Sequence, residues 1–253
     1  MKYSKNGRYQ AVVIVGPTAS GKTSAGVELA KLIGGEVISA DSRAIYRGMD
    51  IGTAKPSMEE REGIPHWGID LVDPDERFSA ADFKEYVESR IAEIQDRGKW
   101  PIVVGGTGLY VDAVVFNYQF NTEVKKTCSD RDSVNKSFLQ LGIEVDRPIL
   151  RKRIEKRADI MFGNKLYDET KRLVEAGYSW DLQSMRSNIY QFAWRYLQGE
   201  ISLEEAKEQL VRDDMGLAKR QMTWFRRSDQ TIWVPREEIV NRAVSELEKV
   251  VAL

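Results

Sequence analysis

Short apolar runs alternate with amphipathic segments in the first half of the chain. Residues 11–15, 36–40 and 100–104 form three such runs, each with the length of a buried strand. Helical periodicity runs from residue 79 to residue 97, between the second and third runs. Strands that alternate with helices predict an α/β fold, in which helices flank both faces of a parallel sheet.

The second half of the chain has the pattern of helices. Pro148 is suited to an early helix position, and the helix that it opens is expected to stop near Gly177. Ser202 and Glu205 have the spacing of a capping box, which predicts a second helix that runs toward Trp224. The apolar face of the first helix is expected to contain Leu150, Ile154, Ala158 and Met161.

These patterns divide the chain into three regions. Residues 1–116 form the predicted α/β core, and residues 147–253 form a helical part that completes it. Residues 117–146 between them form a short linker region, of which residues 117–134 are polar and weakly patterned. No internal repeat or low-complexity tract interrupts this organisation.

Composition limits the class of protein. With 253 residues and 42% hydrophobic content, the chain can bury a core of its own. No apolar stretch approaches the roughly 20 residues of a membrane span, and residues 1–10 are polar, unlike a signal peptide. One cysteine excludes an internal disulfide and one histidine excludes a His-rich metal site. We therefore expect a cytoplasmic protein without a membrane partner, and a monomer.

The first strand leads into a phosphate-binding loop. Its sequence is Gly16-Pro17-Thr18-Ala19-Ser20-Gly21-Lys22-Thr23. In such a P-loop, backbone N–H groups and the helix N-terminus face a phosphate, the lysine adds a full charge, and the Thr23 hydroxyl can bind Mg²⁺. By itself the motif predicts a nucleotide-binding or ATP-binding site on a P-loop NTPase-like sheet. The alternative is an ordinary strand-to-helix turn that holds two glycines.

Three other residues are candidates for chemistry. Asp41 follows the second strand, where it could hold Mg²⁺, accept a proton from an attacking group, or cap a following helix. Thr107 lies in a glycine-rich turn after the third strand, where the glycines would let backbone approach a ligand. Arg157 could neutralise a leaving phosphate as an arginine finger does, or lie on the surface. The carboxyl ends of parallel strands meet at one edge, so one cleft could hold the loop, Asp41 and Thr107.

Basic residues are concentrated in two segments, although the net charge of the chain is only −1. Residues 147–157 include six basic residues and one acidic residue. Residues 219–227 include four basic residues, two aromatic residues and no acidic residue. Each segment is either a solvated helix face or a surface for phosphates, and the aromatic residues favour bases or phosphates in the second.

Five motifs in this order resemble the tRNA dimethylallyltransferases, also called tRNA isopentenyltransferases. Besides the P-loop they are Ser39-Ala40-Asp41-Ser42-Arg43-Ala44-Ile45-Tyr46, Met49-Asp50-Ile51-Gly52-Thr53-Ala54-Lys55-Pro56, Gly105-Gly106-Thr107-Gly108-Leu109-Tyr110 and Ala218-Lys219-Arg220-Gln221-Met222-Thr223-Trp224-Phe225-Arg226. The resemblance implies that the loop holds the diphosphate of dimethylallyl diphosphate rather than ATP. N6 of adenosine 37, in the anticodon stem-loop of tRNA, would then attack the allylic carbon.

The resemblance also implies residue roles. Asp41 would accept the N6 proton and Thr107 would bind the reacting groups. Lys22, Thr23 and Arg157 would hold the diphosphate and Mg²⁺, with Thr23 as the metal ligand. A tRNA surface would be formed by Asp41, Ser42, Arg43, Ala44, Arg186, Tyr190, Lys219 and Arg220.

This chain departs from the family pattern at three places. Ala44 replaces a usual glutamine, and Ile189 lies where a glycine is expected. Between Tyr110 and Arg147 the chain is much shorter than the pattern, so that most of a helical tRNA-binding insertion is missing. That loss keeps open a second function, an adenylate isopentenyltransferase that acts on free AMP, ADP or ATP. A third hypothesis is an RNA-binding protein that keeps the fold without turnover.

Overall fold

A computed structural model describes residues 9–120, 137–163 and 165–251 of the chain. Its strands are β1 (Ala11–Val15), β2 (Gly35–Ala40), β3 (His66–Trp67), β4 (Trp100–Gly105), β5 (Phe138–Glu144) and β6 (Ile232–Pro235). Its helices are α1 (Lys22–Ile33), α2 (Met58–Arg61), α3 (Ala80–Asp96), α4 (Gly108–Val115), α5 (Arg147–Gly163), α6 (Leu166–Glu175), α7 (Asn188–Leu197), α8 (Leu203–Phe225) and α9 (Ile239–Val251).

All the strand pairs are parallel, and they form one sheet in the order β3-β2-β4-β1-β5-β6. The first strand lies inside the sheet, with Val13 opposite Val103 of β4 and Gln140 of β5. Every residue of β1 is buried, since helices cover both faces of the sheet. The predicted parallel α/β sheet is confirmed.

Alternate residues of β1 belong to two different cores. Val13 and Val15 pack in a cluster with buried residues of α3 and α4. Val12 and Ile14 pack on the other face, in a cluster with buried residues of α1 and α9. A strand that is apolar throughout is therefore explained by helices on both sides of the sheet.

A third core joins the C-terminal helices to the segment after β2. Buried residues of α5, α6, α7 and α8 form one cluster with Ile45, Tyr46 and Met49. The partly buried Ala19 of the P-loop also packs against this cluster. The helical layer thus contacts the loops that follow β1 and β2.

Some predicted boundaries are confirmed and others change. Helix α8 begins with the predicted capping box, in which Glu205 N–H donates to the Ser202 hydroxyl. The helix that was predicted to continue from residue 148 toward Gly177 is two helices, α5 and α6. None of the helices in residues 9–120, 137–163 and 165–251 is long and apolar enough to cross a membrane.

The predicted linker region contains a strand that the sequence pattern did not reveal. Residues 138–144 form β5 beside β1, whereas residues 121–136 of that region lie outside the described ranges. The strand was missed because Gln140 and Gly142 interrupt its apolar run. The Gln140 amide is buried and donates to the Thr231 hydroxyl at 2.9 Å, and the indole of Trp233 covers Gly142.

Candidate active site

The P-loop connects β1 to α1 through a left-handed turn. Gly21 has φ of +88°, a conformation that favours glycine, and it directly precedes Lys22, the first residue of α1. The N-cap residue Gly21 has no side chain that could cap α1, so the N–H groups of the first turn can face a ligand. N–H groups at the N-terminus of a helix favour an anion at this position.

Three carbonyl groups of the loop are held by cationic side chains. The Pro17 carbonyl accepts a hydrogen bond from Lys22 Nζ at 2.7 Å. The Ser20 carbonyl accepts from Arg153 Nη1 at 3.3 Å, and the Gly21 carbonyl accepts from Arg236 Nε at 3.1 Å. Because C=O and N–H point in opposite directions across a trans peptide, these bonds fix the directions of the loop N–H groups.

Lys22 lies within electrostatic reach of two other candidate residues. Burial lowers the pKa of Lys22 to about 8, the nearby charge of Arg157 lowers it too, and the charge of Asp41 opposes both. The charges of Asp41, after the second strand, and of Arg157, on α5, therefore both act on Lys22.

Arg157 is paired within the protein. Its Nη2 donates to Asp214 Oδ2 of α8 at 2.5 Å, and both side chains are largely buried. Nε of Arg157 is buried, and no residue of the described ranges bonds to it. Of the two alternatives for this arginine, the structure favours a place near the loop over a place on the surface.

Asp41 begins a series of turns directly after β2. Its Oδ1 accepts a hydrogen bond from Arg43 N–H at 2.8 Å. The alternative that Asp41 caps a following helix is wrong, because the next helix begins only at Met58. Its carboxylate instead stabilises the local turn.

Thr107 binds the turn that contains Asp41. Its Oγ1 accepts from Ser42 N–H at 3.0 Å and donates to Ser42 Oγ at 3.2 Å. Its own N–H donates to the carbonyl of Ala40, the last residue of β2. The ends of β2 and β4 are therefore joined, and the predicted meeting of the two strand ends is confirmed.

The glycines around Thr107 contact protein atoms, contrary to the expectation that they make room for a ligand. A Cβ on Gly106 would lie 2.4 Å from Gln221 Nε2, and one on Gly108 would lie 2.3 Å from Trp224 Cδ1. The indole N–H of Trp224 donates to Asp112 at 3.0 Å. These glycines let α8 approach the turn.

Gln221 lies in the last of the five motifs, where the sequence alone indicated no role for it. Its Oε1 accepts from Thr18 N–H at 2.7 Å, and its Nε2 donates to the Gly106 carbonyl at 3.0 Å. Asp214, the partner of Arg157, was also missed. Both lie on α8, and only their position inside a motif or on an inward helix face could have indicated them.

The residues predicted to bind tRNA separate into two groups. Ala44 and Tyr190 are buried, so neither side chain offers a surface to RNA in this conformation. The Tyr190 hydroxyl donates to Glu169 at 2.8 Å, and burial beside that carboxylate raises the Tyr190 pKa. At or near the surface lie Asp41, Ser42, Arg43, Arg186, Lys219 and Arg220.

Glu169 is the buried hydrogen-bond partner of the Tyr190 hydroxyl. Its carboxylate accepts hydrogen bonds from the N–H groups of Asp50, Ile51 and Gly52 at 2.9, 3.0 and 2.9 Å. With the Tyr190 hydroxyl, four donors converge on one buried side chain of α6. The motif at residues 49–56 is thus held by the helical layer.

A groove of about 940 Å³ lies between α5 and α8, and Pro17 of the P-loop is among the residues that line it. Arg147 and Arg151 of the first basic segment line it, together with Lys219 of α8 and Arg226, which directly follows α8. Glu204 and Glu208 line it as well. Part of each basic segment therefore faces one groove next to the P-loop, and the groove is not uniformly basic.

Comparison with known proteins assigns this arrangement to known enzymes. A family model described as IPP transferase matches residues 44–137 and 122–228. The two matches overlap in residues 122–137, which lie between Tyr110 and Arg147, where the sequence predicts a chain shorter than the family pattern. The family pattern thus continues on both sides of that region.

The chain is similar over most of its length to curated enzymes. The tRNA dimethylallyltransferase of Acetivibrio thermocellus is 39% identical over an alignment of 287 positions. The alignment covers 90% of this chain and 92% of the relative. The tRNA dimethylallyltransferase of Staphylococcus haemolyticus is 38% identical over an alignment of 288 positions, which covers 89% of this chain and 86% of the relative. Because 287 exceeds the 253 residues of this chain, the first relative has residues with no counterpart here.

Solved structures of the same kind of enzyme also superpose on this chain. The tRNA isopentenylpyrophosphate transferase of Staphylococcus epidermidis superposes with a TM-score of 0.83 and 36% identity, covering 94% of this chain and 99% of the other. A eukaryotic dimethylallyltransferase that acts on tRNA has a TM-score of 0.70 and 26% identity, with 85% of this chain and 69% of the other covered.

Proposed function

The chain belongs to the IPP transferase family of tRNA dimethylallyltransferases, and on this premise we propose that it prenylates tRNA. It transfers the dimethylallyl group of dimethylallyl diphosphate to N6 of adenosine 37 and releases diphosphate. The observation that carries the proposal is the joining of Asp41, Ser42 and Thr107 beside the P-loop, within electrostatic reach of Lys22. The carboxylate that we propose as the proton acceptor and the loop that we propose as the anion site therefore lie at one edge of the sheet.

The reaction requires stabilisation of the negative charge on the leaving diphosphate and removal of a proton from N6. N6 forms a bond to the allylic carbon while the carbon–oxygen bond of the donor breaks, and its electron pair leaves with the diphosphate. Lys22, Arg157 and the loop N–H groups would stabilise the negative charge that develops on the leaving group. Asp41 would accept the N6 proton, late in the step, because bond formation acidifies the amine. Thr107 would orient the reacting groups.

Mg²⁺ fits the oxygen donors near the loop. The described residues contain no group of three His, Cys, Asp or Glu side chains that could hold a metal by themselves. Mg²⁺ retains several waters and takes other ligands from phosphate oxygens, so a hydroxyl such as that of Thr23 suffices from the protein. When bound, the ion would neutralise charge on the diphosphate.

The RNA would approach the exposed basic residues near this edge. Arg43 is fixed by its Nη1, which donates to the Gln183 carbonyl at 2.6 Å, and so it lies near the segment that contains Arg186. Lys219 and Arg220 are exposed next to Gln221 on α8. These cations would bind phosphates and position the stem-loop. Adenosine 37 would leave its stack to enter the cleft, because a stacked base cannot present N6 to the donor.

The shortened region between Tyr110 and Arg147 favours the second candidate, transfer to a free adenine nucleotide. The relatives are named for tRNA, and the exposed cations of α8 also favour RNA. One assay separates the candidates: the enzyme is incubated with labelled dimethylallyl diphosphate, Mg²⁺, and either AMP or unmodified tRNAs that read codons beginning with U. We expect label in tRNA and none in AMP.

Two outcomes of this assay would contradict the proposal. Label in AMP with none in any tRNA would establish the adenylate enzyme. No label in either acceptor, with tRNA still bound, would indicate an RNA-binding protein without turnover. A Lys22→Met variant supplies the matched control, because loss of the loop charge should abolish transfer to whichever acceptor is used.

A further inference from the structure

Gln221 connects the two halves of the site through a single side chain. The residue is on α8, 203 positions away from Thr18 in the chain. Its carbonyl oxygen accepts from the P-loop at Thr18, and its amide nitrogen donates to the turn at Gly106. Only a side chain with both a donor and an acceptor can make this pair of bonds.

On the loop side, Gln221 fixes one peptide group. The peptide between Pro17 and Thr18 is held at both ends, since its carbonyl binds Lys22 Nζ and its N–H binds Gln221 Oε1. A trans peptide is planar, so holding both groups sets the orientation of the plane. Gln221 thereby helps to set the position from which Lys22 reaches the loop.

On the other side, Gln221 fixes the turn that carries Thr107. Gly106 immediately precedes Thr107, and a Cβ at Gly106 would approach Gln221 Nε2 to 2.4 Å. Thr107 in turn bonds to Ser42, next to Asp41. A continuous series of contacts therefore leads from the loop through Gln221 to the proton acceptor.

We propose that Gln221 is a positioning residue, which sets the distance between the diphosphate held by the P-loop and the adenine held at Asp41 and Thr107. This inference rests on the proposed prenyl transfer. The two hydrogen bonds of the Gln221 side chain are made to backbone atoms, so Gln221 acts on the substrates through the loop and the turn. Small displacements of reacting groups cost large factors in rate, whereas the affinity of each substrate depends mainly on its own half of the site.

The test compares three variants. Gln221→Met keeps the volume and removes both bonds, and we expect kcat to fall by about 10- to 100-fold while KM for either substrate changes less than about 3-fold. Gln209→Met, on the same helix, is the control and should keep both parameters. Gln221→Glu can accept from Thr18, but its carboxylate repels the Gly106 carbonyl unless it is protonated. The activity of Gln221→Glu relative to wild type should therefore rise as the pH falls from about 8 toward 5.5.

Hydrogen exchange at the loop separates this inference from the proposed function. In Gln221→Met, exchange of the Thr18 amide should accelerate, whether or not wild type transfers a prenyl group to any acceptor. An unchanged exchange rate of the Thr18 amide would show that Gln221 does not hold the loop, and would overturn this inference. Faster exchange with an unchanged kcat, or a rise in KM that accounts for the whole loss, would overturn the positioning role. Failure of wild type to label any acceptor would instead contradict the prenyl transfer.

Discussion

Arg157 Nη2 lies 2.5 Å from Asp214 Oδ2, in an ion pair that joins α5 to α8. The partner fixes the guanidinium while its charge still acts on Lys22 and lowers the pKa of that lysine. An arginine that binds a leaving diphosphate needs such a support, because a free side chain would lose rotamer entropy on binding.

Loss of Asp214 should weaken donor binding. Asp214→Ala leaves Arg157 without its partner, and we expect KM for dimethylallyl diphosphate to rise by about 10-fold, with a loss of about 1–3 kcal/mol in the free energy of unfolding. Asp214→Asn keeps an acceptor and should show smaller effects on both. Steady-state kinetics and chemical denaturation measure them. Asp213→Asn, the neighbouring residue on α8, is the control, and donor kinetics that are equal in the Asp213 and Asp214 variants would refute the support role.

Asp41→Asn separates proton transfer from RNA binding. The amide oxygen can still accept from Arg43 N–H, so the turn is preserved, but the side chain no longer acts as a base. We expect kcat to fall by about 100-fold or more and Kd for tRNA to change less than about 3-fold. Single-turnover transfer and filter binding of labelled tRNA give the two values. Equal losses in rate and in affinity would contradict the role as base.

The P-loop lysine should cost the folded protein stability. Its pKa is about 8 in the folded state against 10.5 for an ordinary lysine, so between these values the unfolded chain binds more protons and stability rises with pH. Lys22→Met should therefore raise the free energy of unfolding at pH 7 by about 1 kcal/mol. The difference from wild type should shrink as the pH rises from about 8 toward 10.5.

Denaturation of both proteins at several pH values measures this difference. Lys152→Met, at an exposed position of α5, is the control and should differ from wild type by the same amount at every pH. A Lys22→Met variant that is less stable than wild type at pH 7 would show that the lysine contributes to folding instead.

Tyr190→Phe should lower stability without affecting RNA affinity. The variant loses the hydroxyl that donates to Glu169, while Gly52 N–H still bonds to the same carboxylate oxygen. We expect a loss of about 1 kcal/mol in the free energy of unfolding and an unchanged Kd for tRNA. Arg186→Ala is the comparison, since its exposed cation should weaken tRNA binding without a change in stability. Weaker tRNA binding by Tyr190→Phe at unchanged stability would indicate that the Tyr190 hydroxyl contacts tRNA, as the family resemblance implied.

Several parts of the fold follow from the sequence because they depend on neighbours in the chain. The apolar run at 11–15 specifies a strand buried on both faces, and Ser202 with Glu205 specifies the start of α8. The strand at 138–144 did not follow, because Gln140 is explained only by Thr231, just before the adjacent strand, and Gly142 only by Trp233 on that strand.

The same division applies to the site. The sequence by itself determined the P-loop, the positions of Asp41 and Thr107 after their strands, and the family resemblance, since motifs are local in the chain and parallel strands end at one edge. Only the tertiary structure decided that Tyr190 is buried against Glu169, that Asp214 holds Arg157, and that Gln221 bridges the loop to the Thr107 turn. These contacts join residues up to 203 positions apart. The packing of the helical layer on the sheet brings such residues together, and no local pattern encodes it.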